Sequence, residues 1–173
     1  MGFLKIETHI NAEHPLKNKW TLWAHLPHDI NWSLNSYKNI CSFSTIEEGI
    51  ILIETIPEKM IKNCMLFIMK DGISPLWEDE KNINGGSFSY KINNKNIVRV
   101  WKTLSYSLMG ENLAVETKNS NIINGITISP KKHFCIVKIW LSSCSFQNPT
   151  IIKEIDEIVS NGCLFKKHNI TNE

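Results

Sequence analysis

The chain reads as an α+β domain: a curved antiparallel β-sheet of about seven or eight strands with three helices on its convex face. Three observations predict it. Strand-like stretches come mostly in consecutive pairs, stretches with a helical apolar period lie between them, and 173 residues with 42% hydrophobic and 21% charged content suffice for one core of sheet backed by helices. Helices can cover only one side of such a sheet, so the other face is solvated and open to a ligand. Residues 1–173 are read as a single domain, with 1–13 as an N-terminal extension and 164–173 as a short C-terminal tail.

In chain order, KWTLWAHL (19–26) and YKNICSF (37–43) have the aromatic and branched content of strands. In STIEEGIILIETI the period changes: Ser44 or Thr45 caps a helix, acidic residues fill its first turn, and Ile46, Ile50, Leu52 and Ile53 lie near one face before Pro57 ends it. CMLFIMKD (64–71) reads as a buried strand and SFSYKI (87–92) alternates with period 2, the two forming a hairpin whose long loop carries Trp77. Ile97, Val100, Trp101, Leu104 and Leu108 recur at helical spacing, with Gly110 placed to terminate the helix. NIINGITIS (121–129) and FCIVKIWL (134–141) are strands joined by the polar turn Pro130 to His133. Asn148 and Pro149 then start a third amphipathic helix over TIIKEIDEIV, and CLFKKH (163–168) is a short last strand.

Composition excludes several function classes. A net charge of +2 is too small for a nucleic-acid glove, so any contact with RNA is local. Five scattered cysteines without a C-x-x-C pair signal neither a disulfide framework nor a zinc site, and no cofactor is expected. No apolar run reaches the roughly 18 residues of a membrane span, and the N-terminal stretch lacks the pattern of a secretory signal, so a cytosolic or nuclear home follows and the cytoplasm is the expectation; a monomer is also expected. The consecutive acids Glu78, Asp79 and Glu80 lack a nucleophile–base or metal-spaced partner, which argues against an enzyme.

The six tryptophans differ in setting. Trp20 and Trp23 in a strand and Trp101 on a helix read as core, whereas Trp32 and Trp77 fall in the polar stretches HDINWSLN and SPLWEDEKN, where an indole has no evident core to enter. Glu78 beside Trp77 is either a solvated charge or the acceptor for a flat ligand stacked on the ring. Guanine fits the second reading, because adjacent N1–H and N2–H₂ donors match two carboxylate oxygens and adenine offers no such pair. A cationic base between two indoles adds cation–π attraction, which points to 7-methylguanine, the messenger RNA cap. Lys131, Lys132 and His133 at a strand turn, and Lys138 on the same strand parity as Trp140, could meet its phosphates.

These residues sit within stretches that resemble the eukaryotic translation initiation factor 4E cap-binding family: HPLKNKWTLW (14–23), KDGISPLWEDEKNINGG (70–86), WKTLSYSLMGE (101–111) and IVKIW (136–140), in order and with compatible spacing over about residues 14–165. The resemblance implies that the mRNA cap binds in the concave face, with Trp32 and Trp77 as the sandwich and Glu78 reading the guanine edge. It further implies Trp140 at the N7-methyl and Lys131 at the phosphates. It also implies a scaffold-protein site at His14, Pro15 and Ile46, with Ile50 standing where the family has a tryptophan and Lys102 and Tyr106 where it has leucines. Ser87 replaces an arginine, and Lys138 is expected to substitute for a phosphate-binding lysine matched by Ile136. Lost apolar anchors weaken such an interface, so the expected partners are capped mRNA and a divergent scaffold protein. The alternative is a repressor or decoy that sequesters capped messages without the usual scaffold.

Overall fold

The computed structural model describes residues 13–169, so most of the expected N-terminal extension and residues 170–173 of the expected tail lie outside the described residues. Seven strands, β1 (Pro15–His25), β2 (Lys38–Thr45), β3 (Met65–Lys70), β4 (Gly86–Asn93), β5 (Ile123–Pro130), β6 (Phe134–Leu141) and β7 (Leu164–Lys167), form one sheet in the order β2-β1-β3-β5-β6-β4-β7, every neighbouring pair antiparallel. The α-helices α1 (Ile46–Thr55), α2 (Glu58–Asn63) and α3 (Ile97–Met109) cover one face. Among the described residues no helix is long and apolar enough to cross a membrane.

Strand alternation sorts the side chains. Trp20, Leu22, Leu66, Ile68, Ile126, Ile128, Val137 and Ile139 point to the helices and, with Trp101, Leu104 and Leu108 of α3, make the main core. Trp101 is fully buried there, and truncating a side chain of that size to Ala costs about 3–5 kcal/mol. The opposite parity carries a second cluster of Phe67, Met69, Ile73 and Trp140, against which Trp23 packs. Trp23 is therefore not part of the main core as its apolar strand predicts: it sits an odd number of residues from Trp20 and faces the other way.

Thr45 opens α1 with a complete capping box, its hydroxyl accepting from the Glu48 N–H (3.2 Å) while the Glu48 carboxylate accepts from the Thr45 N–H (3.2 Å). Ile56, the residue before Pro57, is extended and ends the helix. The buried residues of α1 are Gly49 and Ile53, while Ile46 and Ile50, which the family resemblance assigns to a scaffold site, are 41% and 44% exposed. A Cβ at Gly49 would lie 2.5 Å from Met109 Sδ, so a larger residue there would force the end of the Met109 side chain to move.

Two other expectations fail for topological reasons. β3 and β4 are not a hairpin: β3 pairs with β1 and β5, β4 with β6 and β7, and the β5–β6 hairpin fills the gap between them. Their connection consequently crosses two strands. The helix expected over 150–159 is also absent: Asn148 and Pro149 start only a 3-10 turn (Pro149–Ile151), after which Val115 N–H donates to Ile151 O and Lys153 N–H to Leu113 O, both at 2.8 Å. Pairing with 113–115 satisfies backbone groups of 151–153 and buries Ile152, and a local Ile155–Ile158 bridge accompanies burial of Ile158, so the helix loses to a partly non-local alternative. The segment is irregular instead of helical, and α2 supplies the third helix. Gly110 follows α3 as expected but at φ −77°, and the left-handed residue is Glu111.

Candidate functional site

The helix-free face carries a cavity of about 510 Å³. Its floor is laid by β3, β5 and β6, through Phe67, Thr127, Ser129, Ile136, Lys138 and Trp140; its walls are Trp32 with Tyr37 on one side and Pro75 to Glu78 on the other. Trp140 is 2% exposed, and its indole N–H donates to Thr127 Oγ1 at 2.7 Å across the β5–β6 pair, which fixes the ring in the floor.

One wall comes from the connection between β1 and β2. Trp32 remains 56% exposed, with its ring stacked on His25 at 4.3 Å between centroids and 2° between planes. The buried His25 in turn donates from Nε2 to Asn31 O at 2.8 Å, a tautomer required because a carbonyl only accepts. The rest of this loop is closed by short-range bonds, Asn31 N–H to Asp29 Oδ1 and Ser33 N–H to Asn31 Oδ1, both 2.9 Å.

The other wall comes from the long connection between β3 and β4, and its three acids divide the work. Asp79 is structural, accepting from Ser74 N–H (2.8 Å) and Lys81 N–H (2.9 Å). Glu80 borders a separate groove with Lys19 and Lys70. Glu78 lines the cavity, exposed and without a hydrogen-bond or ion-pair partner among the described residues. Its charge reaches Tyr37, whose hydroxyl is pushed up by burial first and by Glu78 second. Beneath the loop, the fully buried Asn82 donates to Ser74 O (3.0 Å) and Leu76 O (2.8 Å) and accepts from Asn124 Nδ2 (2.9 Å). At its end a Cβ on Gly85 would lie 1.7 Å from Leu141 O, so only glycine lets the chain re-enter the sheet there.

An aromatic chain links the walls under the floor: Trp32–His25 (4.3 Å), His25–Tyr37 (4.9 Å), Tyr37–Phe67 (5.4 Å), Phe67–Trp140 (6.5 Å), Trp140–His168 (4.8 Å) and His168–Trp77 (6.2 Å). His168, buried just beyond β7, donates from Nδ1 to Asn82 O at 2.8 Å, and burial chiefly lowers its basicity. Lys138 Nζ lies 5.2 Å and Lys166 Nζ 4.8 Å from the Trp77 ring centroid, within cation–π range.

Of the residues singled out in the sequence, Trp32, Trp77, Glu78, Lys131, Lys138 and Trp140 line this one cavity. Lys132 lines instead an adjoining groove that shares Trp32 and Lys131 with it, and His133 borders neither. His25, Tyr37, Phe67, Thr127, Lys166 and His168 escaped the sequence reading. Strand parity could have flagged His25 and Phe67, since they share the face of Trp23 and Trp140, but the part played by Lys166 and His168 depends on where β7 docks.

On the helix face, His14 N–H and Nδ1 contact the two Glu47 carboxylate oxygens at 3.0 and 2.6 Å, and Ile46 N–H donates to His14 O at 2.9 Å. This contact, led by the His14 side chain, lowers Glu47 to about 2. Lys102 Nζ reaches Glu54 Oε2 at 2.6 Å and Tyr106 donates its hydroxyl to Glu54 Oε1. Ile46 and Ile50 lie on α1 itself, His14 and Pro15 at its N-terminal end, and Lys102 and Tyr106 of α3 are tethered to it through Glu54.

The family model for eukaryotic initiation factor 4E matches residues 15–171. The chain belongs to the eukaryotic initiation factor 4E family. A Schizosaccharomyces pombe relative, eukaryotic translation initiation factor 4E-2, is 32% identical over 152 residues, covering 84% of this chain and 60% of its own length. The chain therefore spans less than two thirds of that relative. C. elegans eIF4E-3, solved with the 4E-binding protein Mextli and cap analog, superposes with a TM-score of 0.68 at 26% identity, over 77% of this chain and 76% of that one. Schistosome eIF4E, complexed with m7GpppG and 4E-BP, gives 0.68 at 25% identity over 78% and 75%. The seven-stranded antiparallel sheet backed by helices is the architecture of this family.

Proposed function

We propose that this chain binds the 7-methylguanosine cap of messenger RNA and acts in translation initiation as a binding protein, without catalysis. The observation that carries the reading is the convergence on one cavity of Trp32, Trp77, Trp140 and a Glu78 that has no partner among the described residues. A methylated guanine between Trp32 and Trp77 gains about 1–3 kcal/mol per stack, and its positive ring favours the indole faces further. Glu78 accepts the N1–H and N2–H₂ donors, and Trp140 in the floor meets the methyl group. Lys131 and Lys138 neutralise phosphates, Lys138 taking the place of Ile136 two residues earlier on the same face; Lys132 and His133 stay peripheral. Membership of the family, and relatives complexed with a cap analog or m7GpppG, support this assignment.

The α1 face is the site for a scaffold or regulatory protein, with Ile46 and Ile50 as its exposed apolar residues beside His14 and Pro15. Lys102 and Tyr106, engaged with Glu54, favour a partner with polar complements there. Titrating intrinsic tryptophan fluorescence with 7-methyl-GTP and with GTP tests the cap reading: strong quenching by the methylated ligand alone is expected, and equal quenching by both would overturn it.

A further inference from the structure

β7 lies at the sheet edge and pairs with β4, which pairs with β6, so Lys166, Ser87 and Trp140 stand in one cross-strand row. Because Ser87 is short, the Lys166 side chain can extend over it toward the cavity, and its Nζ reaches 4.8 Å from the centroid of Trp77. Lys138, across from Ser89 on the same face, brings its own Nζ to 5.2 Å from the same ring. Lys131 lines the cavity from the β5–β6 turn. Among the described residues, none of these three ammonium groups has a carboxylate within 4.0 Å or a hydrogen-bond acceptor. Lys138 is held below the usual lysine range by burial first, then by Lys166 and Lys131.

Three cations beside one cavity, two of them over the Trp77 indole face and none paired with a carboxylate among the described residues, form an arrangement that an anion of several charges relieves. We propose that Lys166 is a polyphosphate-binding residue that acts with Lys131 and Lys138 on the phosphates attached to the stacked base. The assignment rests on the cap reading above for the base, and on the lysine geometry alone for the phosphates. Its consequence is that the last strand of the fold sets selectivity for phosphate number: a monophosphate cannot span three ammonium groups on three structural elements, whereas a triphosphate can. By strand alternation Lys167 points to the other side of β7 and serves as the internal control.

The test measures binding of 7-methylguanosine, its monophosphate, its triphosphate, GTP and inorganic tripolyphosphate to the wild type, Lys166→Ala, Lys166→Arg and Lys167→Ala. Lys166→Ala is expected to leave the nucleoside within about twofold and to weaken the triphosphate about tenfold, the loss of one charge-assisted contact. Lys166→Arg and Lys167→Ala are expected to stay near wild type. Unchanged triphosphate affinity in Lys166→Ala overturns the proposal. So does an equal loss for nucleoside and triphosphate, which would make Lys166 a support for the Trp77 ring. If GTP and its methylated form bind alike, yet tripolyphosphate binding falls in Lys166→Ala, the lysine assignment stands and the cap reading fails.

Discussion

The two walls of the cavity present the same side chain on very different supports. Trp77 rides on a connection whose Asn82 is tied across the fold by buried bonds from Asn124 and from His168 beyond β7, with both oxygens of Asp79 adding local bonds. Trp32 rides on a loop whose bonds span a few residues each and whose principal tie to the sheet is His25. Buried, long-range hydrogen bonds hold a loop in one geometry because opening it strands desolvated polar groups; exposed local ones are exchanged for water at little cost. One wall is thus preorganised and the other can adjust, a division suited to admitting a flat ring and then closing on it.

The largest effect is expected from removing the anchor of the rigid wall. Asn82→Ala leaves two backbone carbonyls and the Asn124 amide short of partners and should lower stability by about 3 kcal/mol, read by chemical denaturation, with loss of ligand-induced quenching. If stability holds, the preorganised wall is misidentified. Next, Glu78→Gln keeps shape but replaces one acceptor oxygen with a donor; binding of 7-methyl-GTP should weaken by about 2–3 kcal/mol with an unchanged melting temperature, since Glu78 has no partner within the described protein.

Comparing the indoles sharpens the contrast. Trp32→Leu and Trp77→Leu should each cost about 1–3 kcal/mol of ligand binding, but only Trp77→Leu should also lower the melting temperature, because Trp32 is 56% exposed. Equal melting temperatures would erase the distinction. The smallest effect concerns pH. His168 is less basic in the fold than in the unfolded chain, so below about pH 6.5 the unfolded state takes up the proton first. Stability contributed by the neutral ring is therefore full above that pH and declines as pH falls toward the folded value. The difference in melting temperature between wild type and His168→Phe, followed from pH 7.5 to 5, should shrink on the acid side; a constant difference would remove His168 from the rigid wall.

Much of the site was legible in the chain because its signals are local. A tryptophan in a charged loop with Glu78 beside it, and a lysine two residues from Trp140 in a strand, report their chemistry by neighbourhood and parity. The capping box of Thr45 and Glu48 was legible for the same reason. The helix expected over 150–159 failed because its apolar spacing serves equally well for a segment that pairs with 113–115, and no local rule states which partner is available. The hairpin expected between β3 and β4 failed likewise, since adjacency in sequence does not fix adjacency in a sheet.

By itself the sequence determined the α+β class, most strand and helix positions, and the aromatic, acidic and basic groups of the cavity, because periodicity, capping and side-chain chemistry are properties of short stretches. Only the tertiary structure decided the strand order, the crossing of the Trp77 connection over β5 and β6, the turning of Trp23 away from the main core, and the arrival of Lys166 and His168 at Trp77. Those depend on contacts between residues far apart in the chain, whose free energy exists only once the intervening segments have folded against one another.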